Sequence, residues 1–104
     1  EHLQLLKNIK LVGIDIPNIK HAMWLFTLLS DRREQIETEL KKIGIESGQV
    51  HYRNDTYTIF KDFRQPLPNM DALQDLYLSL PLHNRMTVED VEKICIVIKH
   101  VIQH

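Results

Sequence analysis

The stretch 78–102, Leu78-Ser79-Leu80-Pro81-Leu82-His83-Asn84-Arg85-Met86-Thr87-Val88-Glu89-Asp90-Val91-Glu92-Lys93-Ile94-Cys95-Ile96-Val97-Ile98-Lys99-His100-Val101-Ile102, decides the fold. Residues 78–82 read as a short apolar strand ended by Pro81, which has no N–H to give to a ladder. Thr87 then caps a helix, and Asp90 stands three residues on, where it can return the hydrogen bond. Val91, Ile94, Cys95, Ile98, Val101 and Ile102 recur at i, i+3, i+4 and i+7, the pattern of a helix with one buried stripe. A strand that hands over to such a helix belongs to a sheet covered by helices.

Working back from there, Asn69 or Asp71 starts a short helix with Ala72, Leu73 and Leu76 facing in. Residues 53–68 form a long polar and aromatic loop carrying Tyr57, Phe60 and Phe63; a loop of this length in a compact domain is more often functional than idle. Residues 45–52 read as a strand weakened by Gly48. Before it, Asp31 and Glu34 make a capping box for a helix whose stripe is Ile36, Leu40 and Ile43, whose other face carries Arg33, Glu37, Lys41 and Lys42, and which Gly44 stops at the C′ position. Residues 21–29 read as a strand buried on both faces. Leu3, Leu6 and Ile9 over 1–9 suggest the tail of a helix. The expected order is α-β-α-β-loop-α-β-α, an α+β domain with a small three-stranded sheet and helices packed on one face. Strand order stays open.

Length and composition agree. The chain has 104 residues, 43% hydrophobic and 26% charged, enough for one domain with one core and against intrinsic disorder. Thirteen basic against fourteen acidic residues leave a net charge of −1, without the basic excess of a nucleic-acid binder. No run approaches the eighteen or so apolar residues of a membrane span. No charged-then-apolar secretory pattern opens the chain, so a cytoplasmic location is expected. The lone cysteine, Cys95, excludes an internal disulfide and a zinc site built on several thiolates.

Few residues invite chemistry. Of the six histidines, only His100 and His104 have the i, i+4 spacing of a ligand pair, and they are read as a solvated helix end suited to the negative end of the helix dipole. Cys95 lies on the apolar stripe and reads as an inert thiol. With only Gly13, Gly44 and Gly48, no glycine-rich phosphate loop exists. The segment 50–55 stands out: His51, Tyr52, Arg53, Asn54 and Asp55 put an imidazole, a phenol, a guanidinium, an amide and a carboxylate at a strand exit, where they can orient a polar ligand. The alternative is a turn made by Asn54-Asp55.

In order and spacing, Ala22-Met23-Trp24-Leu25-Phe26, Asp31-Arg32-Arg33, Lys42-Ile43-Gly44-Ile45-Glu46, Val50-His51-Tyr52, Leu67-Pro68-Asn69, Leu78-Ser79-Leu80-Pro81-Leu82-His83 and Thr87-Val88-Glu89-Asp90-Val91 resemble the C-terminal small domain of the DegT/DnrJ/StrS sugar aminotransferases, with perosamine-synthase-like members as the pattern. The resemblance covers about 20–103. It implies a fold-type I enzyme dependent on pyridoxal phosphate (PLP) that transfers an amino group from glutamate to a nucleotide-linked 4-keto-6-deoxy sugar. The lysine that carries PLP and the acid at its ring nitrogen would lie in a large domain absent here. This chain alone is then expected to bind no cofactor and to be inactive. Residues 1–19 would be the end of a linker helix and the connection from that large domain, and 20–104 the small domain, with a homodimer in the parent.

The resemblance gives this chain one wall of the substrate cleft. It carries over His51 and Tyr52 first, then Arg53, Asn54 and Tyr57 by position, as substrate-binding residues. No catalytic, cofactor-binding or metal-binding residue is assigned, and His83 is read as closing the turn before Thr87. Where many members continue with prolines and a second histidine, this sequence runs Arg53-Asn54-Asp55-Thr56-Tyr57, which leaves amination against dehydration open. The rival reading is a stand-alone, non-catalytic α+β module that binds a partner or small ligand. A severed small domain should expose an apolar docking patch, for which Ile9, Leu11, Val12 and Ile14 are the candidates.

Overall fold

The computed structural model describes residues 3, 4, 6–14 and 16–104. Its elements run β1 (Lys10–Leu11), β2 (Phe26–Leu29), α1 (Arg33–Lys42), a 3-10 helix (Thr58–Phe63), α2 (Pro68–Leu73), β3 (Tyr77–Leu80) and α3 (Val88–Gln103). The strands form one antiparallel sheet in the order β1-β2-β3. This is the expected α+β fold with a three-stranded sheet, although one strand is not the one expected.

The register places Phe26 opposite Leu80 and Leu28 opposite Leu78, while Thr27 meets Ser79 and Leu29 meets Tyr77. Alternation along a strand therefore sends Phe26, Leu28, Leu78 and Leu80 to one face. That face meets α1 and α3, and the core is Leu28, Leu78, Leu80, Ile36, Leu40, Ile94, Cys95, Ile98 and Val101, joined by Leu3. On the other face Thr27 and Ser79 share a hydroxyl hydrogen bond at 3.2 Å. The α3 stripe is as expected except for Val91, which is exposed. The Thr87–Asp90 capping box is complete: Asp90 N–H donates to Thr87 Oγ1 at 3.1 Å and Thr87 N–H to Asp90 Oδ2 at 2.9 Å. His83 closes the preceding turn, accepting from the Arg85 N–H at Nδ1 and from the Met86 N–H at its carbonyl.

Helix α1 ends as expected. Gly44 takes φ +78°, and its N–H bonds Lys41 O while the Ile45 N–H bonds Leu40 O, a Schellman closure. Its start differs. Arg32 is the cap and no side chain caps the helix, so the Asp31–Glu34 box does not form. Instead, Ser30 Oγ accepts from the Arg32 N–H at 3.1 Å, and Arg32 Nη1 donates to Val101 O at 2.7 Å, fixing the start of α1 by tying it to α3. Ile43 lies past the last helical turn and is exposed, so the buried stripe is Ile36 and Leu40 alone.

Four further expectations are corrected. The 21–29 strand shrinks to Phe26–Leu29, because only that part has neighbours to pair with, and Trp24 is 73% exposed. Residues 45–52 make a single bridge, Gly48 with Ser79, and no strand. The third strand is β1, in residues 10–20, where the sequence pattern suggests no element. Helix α2 begins at Pro68, and Ala72 and Leu73 are exposed while Leu76 lies beyond its end. Of the expected helix tail over 1–9, residues 1, 2 and 5 lie outside the described residues, and the rest form turns closed by Leu6 N–H to Leu3 O and Ile9 N–H to Leu6 O. No helix among the described residues is long and apolar enough to cross a membrane.

Candidate functional site

The 49–57 segment runs past the outer edge of β3 and is strapped there. Gly48 and Ser79 exchange backbone hydrogen bonds at 3.1 and 2.8 Å. Beyond that bridge, Gln49 Nε2 donates to Gln74 O, and the Tyr77 hydroxyl donates to His51 O. The Arg53 guanidinium then makes four hydrogen bonds: Nε and Nη2 to the two oxygens of Asp55 at 2.7 and 2.6 Å, and Nη1 to Asp71 Oδ1 at 2.6 Å and Gln74 Oε1 at 3.2 Å. A planar fork on a carboxylate is the geometry arginine suits best. Arg64 closes the loop from its far end, donating to Asp55 O at 3.2 Å and Thr56 O at 2.8 Å. The Tyr57 N–H bonds Asn54 O at 3.1 Å, so the turn read as the alternative for 53–55 is present as well.

The structure brings the five expected site residues into one neighbourhood but gives them different surroundings. Three clefts meet there, of about 910, 760 and 260 Å³. Tyr52, 68% exposed, borders all three. His51, Arg53 and Asn54 line the 760 Å³ cleft over the sheet face turned away from α1 and α3, with Thr27, Leu29 and Tyr77 and with Met70 and Leu73 of α2. Tyr57 and Arg53 line the 260 Å³ cleft beside Arg33. The His51 ring stands 5.5 Å from Trp24, tilted by 55°. Arg53 is engaged with side chains of this chain, and its role here is to hold the loop.

Electrostatics follow from that knot. The hydrogen bond from Arg53 holds the Asp55 carboxyl below its ordinary range, and Asp55 and Asp71 together push the guanidinium up. Asp90 is also lowered, by the backbone and hydroxyl of Thr87. Burial pushes the Cys95 thiol up. Chemically, the site can offer the Tyr52 hydroxyl, the His51 imidazole and the Asn54 amide as hydrogen-bond partners to a hydroxylated ligand. No group of three or more histidine, cysteine or acidic side chains among the described residues could hold a metal; His100 and His104 only approach ring to ring, at 4.7 Å.

Residues not singled out from the sequence turn out to organise this site. Gln74 accepts from Arg33 Nη1 at 2.9 Å and from Gln49 through its carbonyl, and from Arg53 through its side chain. Asp71 and Gln74 are three apart at the end of a helical turn, which puts both toward Arg53. That spacing was readable, but nothing in it named Arg53 as the partner. Trp24 sits in a run of apolar neighbours that reads as core, so its exposed place beside His51 has no signal in the sequence.

The family model described as the DegT/DnrJ/EryC1/StrS aminotransferase family matches residues 2–99. No curated protein matches the chain. Among solved structures, the sugar aminotransferase CalS13 from Micromonospora echinospora superposes with a TM-score of 0.88 at 22% identity, over 95% of this chain and 27% of that one. DesV of S. venezuelae, solved in complex with a ketimine intermediate, gives 0.87 at 20% identity, over 99% and 29%. A DegT DnrJ EryC1 StrS aminotransferase from Brucella abortus gives 0.81 at 24%, over 99% and 29%. The chain thus spans under a third of the length of each structure it resembles, while nearly all of its own length is used. These likenesses repeat the fold, and the family model, matching almost end to end, adds the sequence pattern: the chain belongs to the DegT/DnrJ/EryC1/StrS aminotransferase family.

Proposed function

We propose that residues 20–104 are the C-terminal small domain of a PLP-dependent sugar aminotransferase, reached through 1–19 from a large domain, and that the parent is a cytoplasmic homodimer. Its reaction moves an amino group from glutamate to the keto carbon of a nucleotide-linked 4-keto-6-deoxy sugar. The observation that carries this reading is the family match over residues 2–99, in a chain that spans 27% of the sugar aminotransferase CalS13.

PLP, when bound, supplies the electron sink for amino transfer. The residues present do not fit it. None of the eight lysines is buried, and at the start of α3 the Asp90 N–H is already bonded to Thr87 Oγ1. On this reading the cofactor's seat lies in the large domain. This chain supplies a wall: Tyr52 where three clefts meet, His51 and Asn54 along one of them, and Tyr57 along another, orienting sugar hydroxyls and shielding them from water. Arg53 positions that wall.

The test uses the full-length polypeptide that carries this chain, with L-glutamate and a nucleotide-linked 4-keto-6-deoxy sugar. Formation of 2-oxoglutarate and of the amino sugar is followed together. The expected result is turnover that Tyr52→Ala lowers through KM more than kcat, with the cofactor absorbance unchanged. A full-length protein with cofactor absorbance that dehydrates the sugar, or that Tyr52→Ala leaves untouched, would overturn the reading.

A further inference from the structure

The 53–68 loop is not an idle excursion. Its 3-10 helix, Thr58–Phe63, contains no buried residue, yet it is held in place by the Arg53 knot and the two Arg64 hydrogen bonds. The staples are polar and lie at its base, while its apolar side chains face outward. In a 3-10 helix, residues three apart eclipse one another. Tyr57 at the cap, Phe60 and Phe63 therefore form one aromatic row, and Phe63 is 78% exposed. Ile59, at 79%, stands beside the row, and Thr58, Lys61 and Asp62 fill the remaining positions. An apolar ridge with a polar margin, fixed by hydrogen bonds rather than by a core beneath it, has the make-up of an interface centre and its rim.

We propose that this ridge is the face on which the rest of the full-length aminotransferase docks, with Phe63 and Ile59 as anchors in an apolar groove of the large domain. The inference rests on the reading of the chain as a small domain. The occupant follows from the length comparison: CalS13, DesV and the Brucella abortus enzyme each contain this fold together with more than twice as much further polypeptide. The patch expected from the sequence cannot serve whole, because Ile9 and Leu11 pack against the core and Ile14 is half-buried, leaving Val12. Docking through the ridge would also set the large domain against the rim where Tyr52 and Tyr57 stand.

Hydroxyl-radical footprinting of Phe60 and Phe63 tests this, comparing the full-length polypeptide with the 104-residue chain over a range of concentrations. The expected result is markedly less labelling of Phe63 in the full-length protein than in the 104-residue chain, because an anchor ring leaves the solvent when it docks. Equal labelling in the two would overturn the proposal. So would protection in the 104-residue chain that grows with concentration, which would make a second copy the occupant. Protection in a full-length protein without transaminase activity would sink the functional reading and leave the docking face standing. An active protein with a labelled ridge would do the reverse.

Discussion

Arg53 grips both carboxylate oxygens of Asp55, Nε to Oδ1 at 2.7 Å and Nη2 to Oδ2 at 2.6 Å, from only two residues away. The pair closes the loop on itself, and the Nη1 contact to Asp71 ties that closed loop to α2. Because the hydrogen bond holds Asp55 below the ordinary aspartate value of about 3.9, its contribution to stability is present above that value and is lost as the pH falls through the lower folded one. A carboxyl-carbon NMR titration should show the Asp55 midpoint below the ordinary aspartate value of ~3.9 in the wild type. In Arg53→Lys it should titrate closer to the ordinary value, because an ammonium cannot reproduce the fork. Asp55 titrating normally in the wild type would mean the knot does not hold in solution.

The cap of α3 is a second place where one oxygen matters. Thr87 Oγ1 accepts from the Asp90 N–H at 3.1 Å, and Asp90 Oδ2 accepts in return from the Thr87 N–H. Thr87→Ala should cost about 1 kcal/mol in urea unfolding, with Thr87→Ser recovering most of it. An alanine variant with the same midpoint and slope would mean water replaces the cap without loss.

How much of this was legible varies with how local the cause is. The α3 stripe, its capping box and the Gly44 stop depend on residues within one or two turns of each other, and apart from the exposed Val91 they appear as read. What failed depended on partners far along the chain. Whether 45–52 becomes a strand depends on the edge of β3, and only Gly48 reaches it. The start of α1 falls at Arg32 and not at Asp31, and Arg32 is held there by the Val101 carbonyl 69 residues later. The two-residue β1 gives no periodicity to detect and exists because Leu28 and Leu29 offer it an edge. At the candidate site, the sequence brought His51, Tyr52 and Asn54 to attention by their chemistry. It could not show that Arg53 gives its hydrogen bonds to Asp55, Asp71 and Gln74, because two of those partners lie eighteen and twenty-one residues away, on helix α2 and at its C-terminal cap.

Cys95 supplies a prediction that needs no substitution. It is 8% exposed on the inner stripe of α3, and desolvation pushes its thiol up. A buried, protonated thiol is a poor nucleophile. At pH 8 the native protein should react with a thiol reagent far more slowly than free cysteine, at a rate set by opening of the fold, and in urea the thiol should react at the ordinary rate. Fast labelling of the folded chain would place Cys95 in contact with solvent and would contradict the packing of α3 on the sheet.

The sheet's inner face provides the strictest test of the register. Leu28 and Leu78 are directly opposed, and both are wholly buried beneath α1 and α3. Truncating either to alanine should cost roughly 2–5 kcal/mol, the lost transfer of the side chain plus the cavity left behind. The two cavities would merge, since the side chains face the same space. The double variant should therefore depart from the sum of the singles by about 0.5–3 kcal/mol, the range for residues in contact. A slip of one residue would carry one leucine to the face turned away from α1 and α3, outside the core, where truncation costs less. Urea unfolding of the two single variants and the double variant distinguishes these cases. Large, coupled losses support the pairing, while a small loss at either leucine or strict additivity would show that β2 and β3 are aligned otherwise.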